Sequence, residues 1–130
     1  MIKVFETVEK GESMSNNEND IIRRLIRIID AQGESNPNKR VAAILALSYR
    51  SLAPRESAKI FIRIINTKIG RSDEEKIASI IALGKLGQVF AEDTLREVIG
   101  GLTEYSEQVK NVAIDTLDFL KITEFEEIKS

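Results

Sequence analysis

The sequence predicts an all-α fold, a short right-handed α-solenoid of about three antiparallel helix pairs in which the first pair is truncated. Three observations lead to this prediction. Apolar residues recur at helical spacing, helix start and stop signals follow one another at short intervals, and the pattern repeats with a mean period near 35 residues. No segment alternates apolar and polar residues as a half-buried strand would. We therefore expect helices throughout.

The first predicted helix begins at Asp20. Its segment IIRRLIRII (21–29) places isoleucine and leucine largely on one side and three arginines on the other, as an amphipathic helix requires. The polar, Asn-rich stretch that precedes it makes residues 1–19 a predicted flexible leader, with a short strand at MIKVF (1–5) as the alternative.

Caps and breakers delimit the later helices. Pro37 follows an asparagine and suits the first helical position. Ser72 and Glu75 have the spacing of a capping box, and Thr123 and Glu126 repeat it. The predicted helices cover about 36–52, 54–69, 72–87, 91–99 and 106–121, and a short C-terminal helical turn or tail covers 123–130.

The internal repeat relates helices of equivalent position. A shift of 35 residues places Leu25 on Ile60 and Leu95. The segments SDEEKIASIIALGKLG (72–87) and SEQVKNVAIDTLDFL (106–120) resemble the first helix of HEAT-like repeats, whose pattern ends in Ala-Leu-Gly-x-Leu-Gly. In the three copies the family's basic position is occupied by Arg40, Lys76 and Lys110. The departures are Lys39 and Glu75 at the aliphatic position, and Ser48 and Asp118 at the position of Gly84.

The resemblance covers residues 20–122 and implies how the helices are used. Each pair of such a repeat buries one face, and stacking of neighbours makes the core continuous. The helix at 20–31 would be the second half of a truncated repeat that caps the stack. In this family the second helices line a concave surface that holds partners. The tetratricopeptide repeat is the nearest alternative by length, but its Trp, Tyr and Pro pattern is missing here.

Composition argues against catalysis. The chain has neither cysteine nor histidine, which removes disulfides, the usual zinc, haem and iron–sulfur ligands, and the commonest general base. The adjacent carboxylates Glu74 and Glu75 fall in the first turn of a helix, where acidic residues favour the helix dipole. We expect no catalytic residue, no cofactor and no metal site, and hence no enzyme.

The charge layout suggests what the chain binds. Residues 20–71 hold 11 Lys and Arg against 4 Asp and Glu, whereas residues 72–130 hold 6 against 13. A protein-binding module or adaptor that holds an acidic segment of its partner would fit, and nucleic-acid binding through the basic half is the alternative. Head-to-tail self-association of the oppositely charged ends is a further expectation. The predicted partner-binding residues are Arg23, Arg24, Arg27, Lys59 and Arg63.

The sequence also predicts where in the cell the protein is found. The longest apolar run, Val41 to Leu47, is far too short to span a bilayer, and the N-terminus has no apolar stretch of signal-peptide length. We therefore predict a cytoplasmic protein that does not bind membranes.

Overall fold

The structure is a computed structural model that describes the backbone of residues 8–30, 36–49, 54–101 and 104–129, with side chains from residue 19 to residue 122. These ranges form six α-helices and no strand, which confirms the all-α class. The helices are α1 (Val8–Asp30), α2 (Pro37–Ser48), α3 (Pro54–Asn66), α4 (Asp73–Leu86), α5 (Gln88–Gly100) and α6 (Glu107–Lys129).

The two longest helices extend beyond their predicted bounds. Residues 8–19, which the sequence assigns to a flexible leader, belong to α1. They contain no proline, and adding a residue to an existing helix is far easier than nucleating one, so the anchored segment 21–29 carries the helix upstream. At the other end α6 continues through Thr123 to Lys129 without a break. Residues 1–7, with the alternative strand at 1–5, lie outside the described residues.

The predicted caps of α2 and α4 are confirmed. The Asn36 side chain accepts a hydrogen bond from the Asn38 N–H at 3.0 Å. Ser72 Oγ accepts from the Glu75 N–H at 3.1 Å, and the Glu75 carboxylate accepts from the Ser72 N–H at 3.0 Å. Both caps satisfy N–H groups that the first helical turn leaves without a partner. In the predicted span 36–52, α2 ends at Ser48, and residues 50–53 lie outside the described part of the chain.

The central helix of the fold is α4, which packs against α2, α3, α5 and α6. In the described ranges α2 and α6 do not touch each other, so α2, α4 and α6 lie in a row. The other three helices pack on this row in turn, α1 on α2, α3 on α4 and α5 on α6.

A continuous apolar core runs between the helices. Phe61 of α3 and Ile80 and Leu83 of α4 are fully buried. Gly84 lies where α4 and α6 approach closely, because a Cβ atom there would be 2.7 Å from Thr116 Cγ2. The core residues buried below 2% exposure include Ile29, Ile44, Leu47, Ile64, Ile65, Ala82, Ala91, Leu95, Val98, Val109 and Ala113.

Candidate partner-binding surface

The predicted partner-binding residues form what we call the basic face: Arg23, Arg24, Arg27, Lys59 and Arg63. All five side chains are exposed. The first three lie on α1, where the alternating apolar residues point inward: Ile29 is buried, and Ile22, Leu25 and Ile26 pack against the core. The amphipathic pattern of 21–29 therefore directs the arginine side chains away from the core.

Three cations of the basic face have acidic partners within the chain. Arg23 lies 3.3 Å from Asp20, and Lys59 lies 3.5 Å from Glu56. Both are pairs of residues three apart on one helix, and exposed pairs of this kind stabilise a protein by well under about 1 kcal/mol. Each partly neutralises its own cation.

The third pair connects two helices. Arg63 of α3 donates a hydrogen bond at 2.6 Å to the carboxylate of Asp30, the last residue of α1. This contact brings the α1 and α3 parts of the basic face together. By contrast, Arg24 and Arg27 form no ion pair with any residue that the structure describes. The uncompensated positive charge of the face is therefore concentrated at these two positions on α1.

A shallow groove runs along this part of α1. Its lining residues are Arg23, Ile26, Arg27 and Asp30, and its volume is about 500 Å³. Half-buried Ile26 gives the groove an apolar lining residue beside Arg23 and Arg27. Such a groove can accept an apolar side chain while the arginines bind neighbouring carboxylates.

Sequence reasoning missed a buried charged cluster behind the basic face. The side chain of Glu75 is 0% exposed. Arg40 donates to its two oxygens at 2.8 and 3.3 Å, and Arg71 donates at 3.0 Å. Arg71 also donates to the Ile29 carbonyl oxygen at 2.8 Å. The cluster thus joins the end of α1, the first turn of α2 and the start of α4.

The cluster keeps Glu75 ionised. Burial alone would raise the pKa of this carboxyl, but hydrogen bonds from Arg40, from the Ser72 backbone and from Arg71 outweigh burial and lower its pKa to about 2. The sequence does contain a signal for this arrangement. Glu75 stands where the pattern that the sequence resembles has an aliphatic residue, and Arg40 precedes it by 35 residues. A carboxylate at a buried position has to be paired with a cation.

Comparisons with protein-family models, with curated proteins and with solved structures find no match to this chain. Within the described ranges, no helix is both long enough and apolar enough to cross a membrane. The described side chains also include no group of three or more Asp and Glu that could hold a metal ion.

Proposed function

We propose that this chain is a non-catalytic, protein-binding module of the HEAT-like α-solenoid type, which holds an acidic segment of a protein partner on its basic face. The helix contacts support the solenoid part of the proposal. Each of α1, α3 and α5 packs on the next helix of the row formed by α2, α4 and α6. Helix pairs that stack through neighbours in this way build a solenoid.

The observation that carries the binding proposal is the pair of exposed arginines on α1. Arg24 and Arg27 lie three residues apart, so they project from neighbouring positions of the helix surface. Neither arginine forms an ion pair with a carboxylate of the described residues, since Asp20 pairs with Arg23 and Asp30 with Arg63. Both guanidinium groups can therefore bind carboxylates of a partner, with two parallel hydrogen bonds each. The groove over Ile26 adds an apolar contact beside Arg27.

The other three cations contribute less. Arg23, Lys59 and Arg63 already contact Asp20, Glu56 and Asp30, so a partner carboxylate has to share or displace an existing one. They extend the positive potential around the site and speed the approach of an acidic partner, an effect that added salt weakens.

The buried charged cluster holds the basic face in place. Arg71 donates hydrogen bonds both to the Ile29 carbonyl oxygen near the end of α1 and to the Glu75 carboxylate in the first turn of α4. A surface fixed before binding loses less conformational freedom when the partner arrives, which favours affinity. Glu75 and its two arginines therefore act in binding only by holding α1.

The test compares two variants of equal net charge. Arg24→Glu combined with Arg27→Glu reverses the uncompensated pair, and Lys85→Glu combined with Lys121→Glu makes the same change of charge on α4 and α6 as the control. Both variants and the wild type are used as bait in quantitative affinity capture. We expect a protein that the wild type and the control retain and the arginine variant loses.

A parallel titration with labelled single-stranded and double-stranded oligonucleotides decides the alternative. Loss of oligonucleotide binding in the arginine variant, with no protein lost, would replace the proposal by nucleic-acid binding. In that case affinity would fall steeply between about 0.05 and 0.2 M salt, because phosphate contacts release counterions.

A further inference from the structure

A second surface feature lies away from the basic face, at the cleft between the end of α3, the start of α4 and the end of α5. Its volume is about 410 Å³, at the small end of the range for ligand sites. No residue of the basic face lines it. The charged residues that line it are Lys68, Lys76, Glu97 and Glu104.

Lys76 is the unusual member of this cleft. The residue is only 7% exposed, yet no carboxylate of the described chain pairs with it. Its Nζ lies 5.5 Å from the centre of the Tyr105 ring. The lysine side chain is thus mostly covered by protein, and it lines the cleft. An anion in the cleft would give the ammonium group a charged partner.

The other charges of the cleft indicate which anion fits. Lys68 and Glu104 lie 3.7 Å apart and largely neutralise each other. Glu97 is exposed and has no ion-pair partner among the described residues. The cleft therefore presents one uncompensated cation and one uncompensated anion, which do not pair with each other.

Tyr105 lines the same cleft as these two charges. Its hydroxyl donates to Asn66 Oδ1 at 3.3 Å, which orients the ring. Gly101 makes room for the ring, since a Cβ atom there would lie 3.1 Å from Tyr105 Cδ2. Burial first, and then the nearby Glu104 and Glu97, raise the pKa of Tyr105, so the phenol stays neutral. A neutral aromatic face suits a short aliphatic chain.

We propose that this cleft binds a small zwitterion of the amino-acid type, whose carboxylate contacts Lys76 and whose ammonium group contacts Glu97. The ligand satisfies both charges at once, and the methylene groups between its ends lie against Tyr105. A simple anion would leave Glu97 unpaired and a simple cation would leave Lys76 unpaired.

The tyrosines of the chain provide the assay. The sequence has two tyrosines and no tryptophan, and Tyr49 is 73% exposed beside Lys85. In a Tyr49→Phe background, tyrosine fluorescence therefore reports on Tyr105 alone. The amide chemical shifts of α4 and α5 give a second readout. The probes are glycine, γ-aminobutyrate and ε-aminohexanoate, which separate the two charges by increasing lengths, with acetate and ethylammonium as singly charged controls at equal ionic strength.

We expect at least one zwitterion to bind about tenfold or more tightly than either singly charged control, because charge-assisted contacts at both ends are required. Lys76→Met and Glu97→Gln should each weaken that binding by about tenfold or more. Lys68→Met, which alters a pair that is already neutralised, should change it by less than about threefold.

Three results would overturn the proposal. The first is a saturable response to none of the zwitterions by either readout. The second is acetate binding as tightly as the best zwitterion, which would make the cleft a simple anion site. The third is a loss of binding in Lys68→Met as large as that in Lys76→Met, which would show that net charge around the cleft, and not Lys76, determines binding.

Discussion

Replacing Glu75 by glutamine tests the buried charged cluster. Glutamine keeps the size of the side chain but removes the charge that Arg40 and Arg71 surround. These two arginines are only 13% and 15% exposed, so the variant leaves two cations in a poorly hydrated site without their anion. Breaking a buried ion pair by removing one partner costs about 3–5 kcal/mol.

The pKa of Glu75 gives a second value for the stability that the Glu75→Gln variant loses. The carboxyl titrates at about 2 in the folded chain, against an ordinary value of 4.5. A difference of this size corresponds to about 3 kcal/mol of stability at pH 7. Because the folded pKa is depressed, the contribution is fully present above pH 4.5 and is lost as the pH falls towards 2. Both arguments give a loss of stability of about 3 kcal/mol.

The assay is urea unfolding followed by circular dichroism at several pH values. Glu75→Gln should lower the free energy of unfolding by about 3 kcal/mol at pH 7, and this difference from the wild type should shrink steadily below pH 4.5. Its exposed neighbour provides the matched control, since Glu74→Gln should stay within about 0.5 kcal/mol of the wild type. A cost below about 1 kcal/mol, or a cost that does not change with pH, would refute the reasoning.

Further predictions concern the fold and the basic face. Far-UV circular dichroism should show mainly helix, and a strand content above about a quarter of residues would contradict the fold. Leu83→Ala should cost about 2–5 kcal/mol in urea unfolding, because its side chain is fully buried. Gly84→Ala should cost about 1–3 kcal/mol through its contact with Thr116, and adding Thr116→Ser, which removes the clashing methyl group, should restore most of the loss. Arg24→Glu with Arg27→Glu should shift the thermal midpoint very little, since exposed charges contribute less than about 1 kcal/mol each.

The sequence predicts where the helices lie better than it predicts how long they are. The caps at Asn36 and Ser72 locate the starts of α2 and α4 correctly, because these signals act over a single helical turn. The upstream half of α1 is missed, since its polar residues 8–19 have no apolar face of their own to mark them as helical. Thr123 carries the spacing of a cap, but the helix simply continues through it.

The sites are predicted less completely, for a physical reason. Exposure of the arginines on α1 follows from periodicity, and the Asp20–Arg23 and Glu56–Lys59 pairs could have been found from their spacing. Pairs between distant residues, such as Arg63 with Asp30, depend on how helices pack. The same holds for Lys76 in the first turn of α4 and Tyr105 in the segment before α6, which only tertiary packing brings to one cleft.

The most direct test of the binding proposal is the association rate of a retained protein partner, measured for the wild type, the Arg24→Glu and Arg27→Glu variant, and the Lys85→Glu and Lys121→Glu control. At about 0.05 M salt the arginine variant should associate about tenfold or more slowly than the control, and at about 0.5 M salt the difference should largely disappear. Equal rates for the two variants at low salt would show that net charge alone matters, and would contradict a docking site at the α1 arginines.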